Sequence, residues 1–230
     1  SPGSVNFPEV YCNNPVWVFY DLLTNTRYGM GQFIDSDLID KYQLFRLARY
    51  CDELVPDGEG GMEPRFTCNV YINKGQEATK TLKQFASVFR GMALWMDGEL
   101  TLIADKDQEP VYTFTKGNII DGIFQYEGTG DRVRTNQVKV SWNDPSDNYR
   151  IATEYVEDQQ SLLETGRIVR SETLAFGCTS RGQAHRLGKW KLLGERLEKE
   201  TVTFTAGLAG AGLRPGDIIA VQDADRDNIQ

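Results

Sequence analysis

Residues 14–31 read NPVWVFYDLLTNTRYGMG, and this stretch decides how the N-terminal part of the chain folds. Asn14 is a residue type that accepts a hydrogen bond from the first N–H groups of a helix. Pro15 suits the first helical position, because the N–H that proline lacks needs no partner there. The pair therefore predicts a helix that begins at Pro15. Its buried side is expected to consist of Trp17, Phe19, Tyr20 and Leu23.

The spacing of apolar residues predicts three more helices. They cover residues 35–51, residues 77–91, and a long segment from Thr179 or Ser180 to Lys199. The apolar face of the helix at 35–51 is predicted to contain Leu38, Ile39, Tyr42, Phe45, Leu47, Ala48 and Cys51. The apolar face of the long helix is predicted to contain Ala184, Leu187, Trp190, Leu193 and Leu197.

Strand patterns occur in both halves of the chain. Alternating apolar residues at 65–72 predict a half-buried strand. Residues 92–96 and 99–104 flank Asp97-Gly98, and they predict a hairpin with a type I′ turn, because glycine accepts the positive φ. Further short strands are predicted at 111–114, 122–126, 136–142, 150–156, 167–174, 201–205 and 213–221.

These elements predict an α+β protein in two parts. Residues 1–115 are expected to form a mixed α+β domain, and residues 116–230 a β-rich domain that carries one long helix. Several short strands with polar turns, closed by a late strand pair, predict a barrel-like or sandwich-like arrangement for the second domain.

The composition narrows the classes of function. The 230-residue chain has 25 Lys+Arg against 33 Asp+Glu, for a formal net charge of −8. This acidic balance argues against a protein built to grip nucleic acid, since phosphate binding needs clustered basic residues. No apolar run approaches the roughly 20 residues of a membrane helix, so we expect no membrane segment.

Candidate catalytic residues are few. His185 is the one histidine in the sequence, and a Ser-His-Asp or Cys-His mechanism would need it as the base. No nucleophile motif accompanies His185, so a surface or half-buried helical residue is favoured. Residues 182–190 resemble a phosphate loop only superficially, because Trp190 stands where Ser or Thr should bind magnesium. We expect no catalytic residue and no cofactor.

Metal binding is not expected either. Residues 223–228 begin like a calcium loop, but Asn228 replaces the required glycine, so a solvated acidic turn is favoured. The cysteines lack the short spacing of zinc or redox motifs, and reduced thiols are predicted. These cysteines are Cys12, Cys51, Cys68 and Cys178.

Two other functions stay open on the residues alone. Paired carboxylates could serve a glycosidase, although 33 acidic residues will include close pairs by chance. The tryptophans are predicted to pack in the core, but they could instead form a sugar-stacking platform. They are Trp17, Trp95, Trp142 and Trp190.

Residues 14–31 resemble a motif of the tail-tip proteins of lambda-like long-tailed phages, which are called host-specificity or tip attachment proteins. In that family Asn-Pro-x-Trp is followed by Tyr-Asp-Leu-Leu and by Arg-Tyr-Gly-hydrophobic-Gly. Segments 86–98, 136–145 and 214–217 also look like the family, so the resemblance covers nearly the whole chain. The matching motif residues are Asn14, Pro15, Trp17, Tyr20, Asp21, Leu22, Leu23, Arg27, Tyr28, Gly29, Gly31, Pro215, Gly216 and Asp217.

The resemblance implies a structural role related to that of baseplate hub proteins. The chain would be part of the central hub that closes and continues the tail tube and supports host attachment. Its partners would be further copies in a homotrimer, the distal tail ring and the tape-measure end, with DNA only as cargo in the channel. It would be assembled in the bacterial cytoplasm and located at the tail tip of the virion. A tail-associated cell-envelope hydrolase and a carbohydrate-binding module are the alternatives.

Overall fold

The structure is a computed structural model that describes residues 11–72, 77–96, 99–128 and 134–226. Helices and strands both occur throughout these residues, which confirms the predicted α+β class. The helices are α1 (Pro15–Thr24), α2 (Lys41–Asp52), α3 (Ala78–Val88), α4 (Gln159–Thr165) and α5 (Arg181–Leu197). None of these helices combines the length and the apolar character needed to cross a bilayer.

The strands are short, and they pair in twos and threes. They are β1 (Leu54–Pro56), β2 (Met62–Pro64), β3 (Gly91–Met96), β4 (Glu99–Ala104), β5 (Tyr112–Thr115), β6 (Gln125–Gly128), β7 (Gln137–Asp144), β8 (Arg150–Glu157), β9 (Arg170–Leu174), β10 (Glu200–Thr203) and β11 (Ile219–Gln222). Four two-stranded sheets pair β1 with β2, β3 with β4, β5 with β11, and β6 with β10; a fifth sheet has the order β8-β7-β9. Among the described strands no barrel closes.

The chain divides into two compact units, each assembled from separate segments. The first unit contains Ser1–Ile103, Trp142–Ala152 and Ala175–Gln183, and the second contains Ala104–Ser141, Thr153–Leu174 and Ala184–Gln230. These units describe packing rather than continuous stretches of sequence, so the division into residues 1–115 and 116–230 stays a prediction.

Helices α1, α2 and α3 and the β3–β4 hairpin build the core of the first unit. The hairpin strands match the prediction, while the Asp97-Gly98 turn lies outside the described residues. An isolated parallel bridge joins Ile39 to Leu100 on β4. The largest fully buried apolar side chains of this unit are Val16, Phe19, Leu23, Leu44, Phe89 and Leu102.

The second unit contains an aromatic core. Phe114 on β5 lies 4.8 Å from Phe204, measured between ring centroids, and Phe124 lies 5.3 Å from the same ring. Parallel pairing of β5 with β11 and antiparallel pairing of β6 with β10 bring these rings together. Helix α5 contacts the neighbouring sheet through Lys191, whose Nζ donates to Thr173 Oγ1 at 2.8 Å.

Two of the predicted elements are wrong. Residues 65–72 form no strand, because their N–H groups bond to partners in unrelated segments. Arg65 N and Phe66 N donate to Glu53 O and Cys51 O. Thr67 N donates to the Gln183 side chain, Cys68 N to Asn13 O, and Asn69 N to Gly177 O. The helix predicted from residue 35 begins at Lys41. The Asp40 carboxylate accepts from Tyr42 N and Gln43 N and so caps it there, after a short 3-10 turn at Ser36–Leu38.

The buried faces of two helices also differ from prediction. On α2 the buried residues are Leu44, Leu47, Ala48 and Cys51, while Tyr42 and Phe45 are exposed. On α5 Leu192 is buried, whereas Leu193 and Leu197 are exposed.

Candidate functional site

The candidate site consists of the motif residues within 14–31 and 215–217. The first of these residues lie at the start of α1. Asn14 Oδ1 accepts from Val16 N at 3.0 Å, and Pro15 occupies the first helical position, as predicted. The Nδ2 group of Asn14 also donates to Ala48 O on α2, 2.9 Å away. Asn14 is almost fully buried, so one side chain both caps α1 and fastens its start to α2.

The buried stripe of α1 agrees with the predicted one at two positions and differs at the others. Phe19 and Leu23 are buried as expected, but the third member of the stripe is Val16, because positions 16, 19 and 23 repeat at three and four. Trp17, one residue and about 100° further round the helix, is 37% exposed. Tyr20 is half-buried, and its ring meets that of Trp17 edge-on at 6.4 Å.

The turn after α1 folds back over the end of the helix. Asn25 Oδ1 accepts from Arg27 N at 2.9 Å, and Met30 N donates to Leu22 O at 2.9 Å. Helix ends leave their last carbonyl groups without partners, and this back-folded segment supplies one. The turn is thus a C-terminal cap made from main-chain groups.

Two glycines make that close approach possible. A Cβ on Gly29 would lie 2.2 Å from Leu22 O, and a Cβ on Gly31 would lie 2.1 Å from Thr24 O. Both distances are far below van der Waals contact with a backbone atom that cannot move aside. Space against the helix end, rather than a positive φ, therefore explains the glycines of this motif.

Asp21 and Tyr28 connect the outer side of α1 to the turn. The Tyr28 hydroxyl donates to Asp21 Oδ2, and this hydrogen bond, followed by desolvation and the carboxylate charge, raises the pKa of Tyr28. Tyr28 is nevertheless 64% exposed. Arg27 is exposed and takes part through its backbone N–H.

The second group of motif residues forms a tight turn before β11. Arg214 N donates to Asp217 Oδ2 at 2.7 Å, and Asp217 N donates to Arg214 O at 3.0 Å. Pro215 and Gly216 occupy the middle of the turn, where Gly216 has a φ of +93°. This combination is typical of a type II turn. The structure therefore gathers residues 14–31 into one helix-and-turn unit and places residues 215–217 in a separate turn.

His185 and the segment that resembles a phosphate loop, residues 182–190, both lie in helix α5. His185 Nδ1 lies 3.0 Å from Glu154 Oε1, and the His185 side chain is 39% exposed, as predicted for a half-buried helical residue. Residues 182–190 lie within α5, so their backbone groups belong to a helix and cannot cradle a phosphate. Trp190 instead donates from Nε1 to Asp105 Oδ2 at 2.7 Å.

The segment that begins like a calcium loop directly follows β11, and its carboxylates form ion pairs with a lysine. Lys116 Nζ lies 3.2 Å from Asp223 Oδ1 and also contacts Asp225. Burial alone would raise the pKa of Asp223, but hydrogen bonds from Asp225 N, Lys116 and Tyr126 outweigh it and lower that pKa. Among the described residues no cluster of His, Cys, Asp or Glu forms a metal site. Asp227 and Asn228 lie outside the described residues.

All four cysteines are described, and none forms a disulfide. Cys12 is exposed, whereas the other three are buried. Burial raises the pKa of Cys68 to about 12 and raises that of Cys51 still further. These two thiols are therefore packing residues rather than nucleophiles.

Sequence reasoning missed two buried polar residues that organise the backbone. Gln183 Oε1 accepts from Thr67 N at 3.0 Å, and its Nε2 donates to Thr67 O at 3.0 Å. Asn136 Nδ2 donates to Arg167 O, and its Oδ1 accepts from Val169 N. No local pattern marks either residue, because each partner lies tens of residues away along the chain.

Solved structures that share this fold include the following two. One belongs to the virion of a native gene transfer agent particle; its TM-score is 0.58 at 13% identity, over 73% of this chain and 38% of that chain. The other is the 43 kDa tail protein of prophage MuSo2 from Shewanella oneidensis; its TM-score is 0.54 at 14% identity, over 100% of this chain and 62% of that chain. The fold is thus one that particle and tail proteins use.

Sequence comparison establishes the family. Residues 77–229 match the family described as "Putative phage tail protein". The chain is 41% identical over 217 residues to tip attachment protein J of Escherichia phage SECphi27, and 32% identical over 222 residues to tip attachment protein J of Escherichia phage SECphi4. These matches cover 94% and 95% of this chain.

The chain belongs to this family of phage tail proteins. The resemblance to tail-tip proteins that residues 14–31 carry is thereby confirmed. The chain spans 18% and 19% of the length of the two relatives, so it corresponds to about a fifth of each.

Proposed function

We propose that this chain is a structural component of a phage or prophage tail tip. In this role it is part of the central hub that closes and continues the tail tube and supports host attachment. The observation that carries the proposal is the match of 94% of the chain to a tip attachment protein at 41% identity. The chain is accordingly located in the tail of the virion.

The structural observations agree with a role in building shape. The motif residues Asn14, Gly29 and Gly31 cap a helix and allow close backbone packing. Gln183 and Asn136 each satisfy several backbone groups. The candidate catalytic base, His185, is paired with Glu154. Side chains used in this way fix one backbone arrangement, which is what an assembly component needs.

In this role we propose a homotrimer that contacts the distal tail ring and the tape-measure end, with DNA passing through the channel as cargo. The net charge of −8 suits such a channel, because an acidic wall repels phosphate and prevents DNA from sticking. The same net charge also serves ordinary solubility, so the similarity to a tip attachment protein rather than the charge supports the proposal.

The proposal is tested by counting copies in purified particles. Isotope-labelled peptides from this chain, and from the major tail-tube protein as an internal standard, allow quantification by mass spectrometry. A tail-tip trimer predicts a copy number of about three per particle, fixed from one preparation to the next. A copy number close to that of the tube protein, or absence of the chain from washed particles, contradicts it.

A further inference from the structure

The outer face of α1 is aromatic and acidic. Trp17, Tyr20 and Asp21 lie three and four residues apart on one side of the helix. Asp21 is exposed, Trp17 is partly exposed, and Tyr20 is half-buried beside the buried stripe. Tyr28 joins this face from the turn through its hydrogen bond to Asp21. We call these four residues the acidic face. Trp17 is 37% exposed and Tyr28 is 64% exposed, so both rings present part of their surface to solvent.

The outer face of α2 is aromatic and basic. Tyr42, Phe45, Arg46 and Arg49 repeat at three, four and seven, so they lie on one side of the helix. Tyr42 is 85% exposed and Phe45 is 54% exposed. Within the part of the chain that the structure describes, neither arginine takes part in an ion pair. We call these four residues the basic face.

We propose that the acidic face of one copy of this chain docks against the basic face of a second copy. The inference rests on the homotrimer of the proposed function, and it names the surfaces that build it. Asp21 would pair with Arg46 or Arg49 of the neighbouring copy, while the rings of Trp17 and Tyr42 pack beside the ion pair. Arginines also favour positions over aromatic rings.

Charge complementarity identifies a second copy as the occupant. The two faces carry opposite charge and the same aromatic character, and both belong to one chain. Tyr, Trp and Arg are the residues most enriched at the centres of protein interfaces. Because the two faces differ, each copy uses one face for each neighbour, and such a head-to-tail contact closes into a ring when the rotation permits.

The test is sedimentation equilibrium of the 230-residue chain at concentrations up to about 1 mM, where even weak association with a Kd of that order is detected. One variant reverses the acidic face, Asp21→Lys, and another reverses the basic face, Arg46→Glu with Arg49→Glu. A third combines them. Tyr42→Ala removes an aromatic ring that is mostly exposed in the single chain, so it tests the contact without a folding defect.

Matched controls reverse the exposed charges Asp107→Lys and Lys106→Glu, which belong to neither face. We expect a trimer for the unmodified chain and the controls. Each face reversal and Tyr42→Ala should raise the dissociation constant by about ten-fold or more, and the combined reversal should restore most of the loss. Circular dichroism confirms that each variant is folded.

Three results would overturn the inference: a trimer that is indifferent to the face variants, a two-fold dimer, or a monomer at every concentration. A fixed copy number near three in particles, together with any of these results, would leave the tail-tip role standing and reject only these contact surfaces. Absence from particles would reject the role itself, whichever oligomer forms in solution.

Discussion

The side-chain amide of Asn14 donates to the backbone carbonyl of Ala48 at 2.9 Å, while its oxygen caps α1 through Val16 N at 3.0 Å. The sequence separation of Asn14 and Ala48 is 34 residues, so this single side chain sets the start of one helix against the end of another. Asn14, a residue of the motif that resembles tail-tip proteins, therefore serves to pack α1 against α2.

Replacing Asn14 should destabilise the chain. In Asn14→Ala the Val16 N–H loses its cap and the Ala48 carbonyl loses a buried donor, at a cost of about 1–3 kcal/mol. Chemical denaturation monitored by circular dichroism measures the loss. Asn13→Ala is the matched control and should change the free energy of unfolding by less than about 0.5 kcal/mol. Equal stability of the two variants would contradict the capping role.

Gly31→Ala should also destabilise, for a steric reason. The new Cβ would lie 2.1 Å from Thr24 O, so the turn must move away from the end of α1, at a cost of roughly 1–3 kcal/mol. Gly207→Ala is the control, since a Cβ there meets nothing within 4 Å. The melting temperatures of the two variants provide the comparison, and a Gly31→Ala variant as stable as the control would refute the close approach.

The phenol of Tyr28 should titrate at a pH above the ordinary tyrosine range. Its hydrogen bond to Asp21 favours the neutral form, so the pKa of Tyr28 is higher in the folded than in the unfolded chain. The stabilisation is therefore complete below pH 10 and is lost as the pH rises through the folded pKa. Ultraviolet difference titration against Tyr28→Phe isolates this group. Asp21→Asn should move the pKa of Tyr28 back towards the ordinary tyrosine value. An unchanged Tyr28 titration in this variant would show that Asp21 does not raise that pKa.

Thiol reactivity should divide the cysteines into two classes. Cys12 is exposed, whereas Cys51, Cys68 and Cys178 are buried. An aromatic disulfide reagent should therefore modify one thiol rapidly in the native chain and all 4 after denaturation. Cys12→Ser should abolish the rapid phase. Rapid modification of a second thiol in native Cys12→Ser would show that the core is more open than this packing implies.

The chain should release no soluble muropeptides from purified peptidoglycan, because we assign its polar groups to packing and assembly. Chromatography of digests with a lysozyme-treated sample as the positive control provides the measurement. Release above the buffer level that a single carboxylate substitution abolishes would favour the envelope hydrolase instead.

Local signals predicted most elements of the fold. Asn14-Pro15 fixed the start of α1, and the strand runs around Asp97-Gly98 predicted β3 and β4. Helix α4 was missed although its ends carry ordinary signals: Asp158 caps Ser161 N, and Gly166 ends the helix with a φ of +65°. Helix α4 lies between strands β8 and β9, and the strand patterns on either side of it dominate the sequence prediction there.

Tertiary contacts explain the remaining errors. Phe66 and Cys68 alternate as a strand would, and both are buried. Their segment nevertheless pairs with no strand among the described residues, because Gln183, Asn13 and Gly177 each satisfy one of its N–H groups. The large apolar side chain of Trp17 predicts a core position, yet the rotation of the helix places Val16 there instead. Neither outcome can be predicted from the local sequence.

The most direct test of the central claim is the position of this chain on intact particles. Antibodies raised against it and coupled to gold should label the tail end opposite the capsid, and electron microscopy records where they bind. We expect label at that end alone, and we expect it to be lost when the gene is deleted. Label along the tube or on the capsid, with the tip unlabelled, would contradict it.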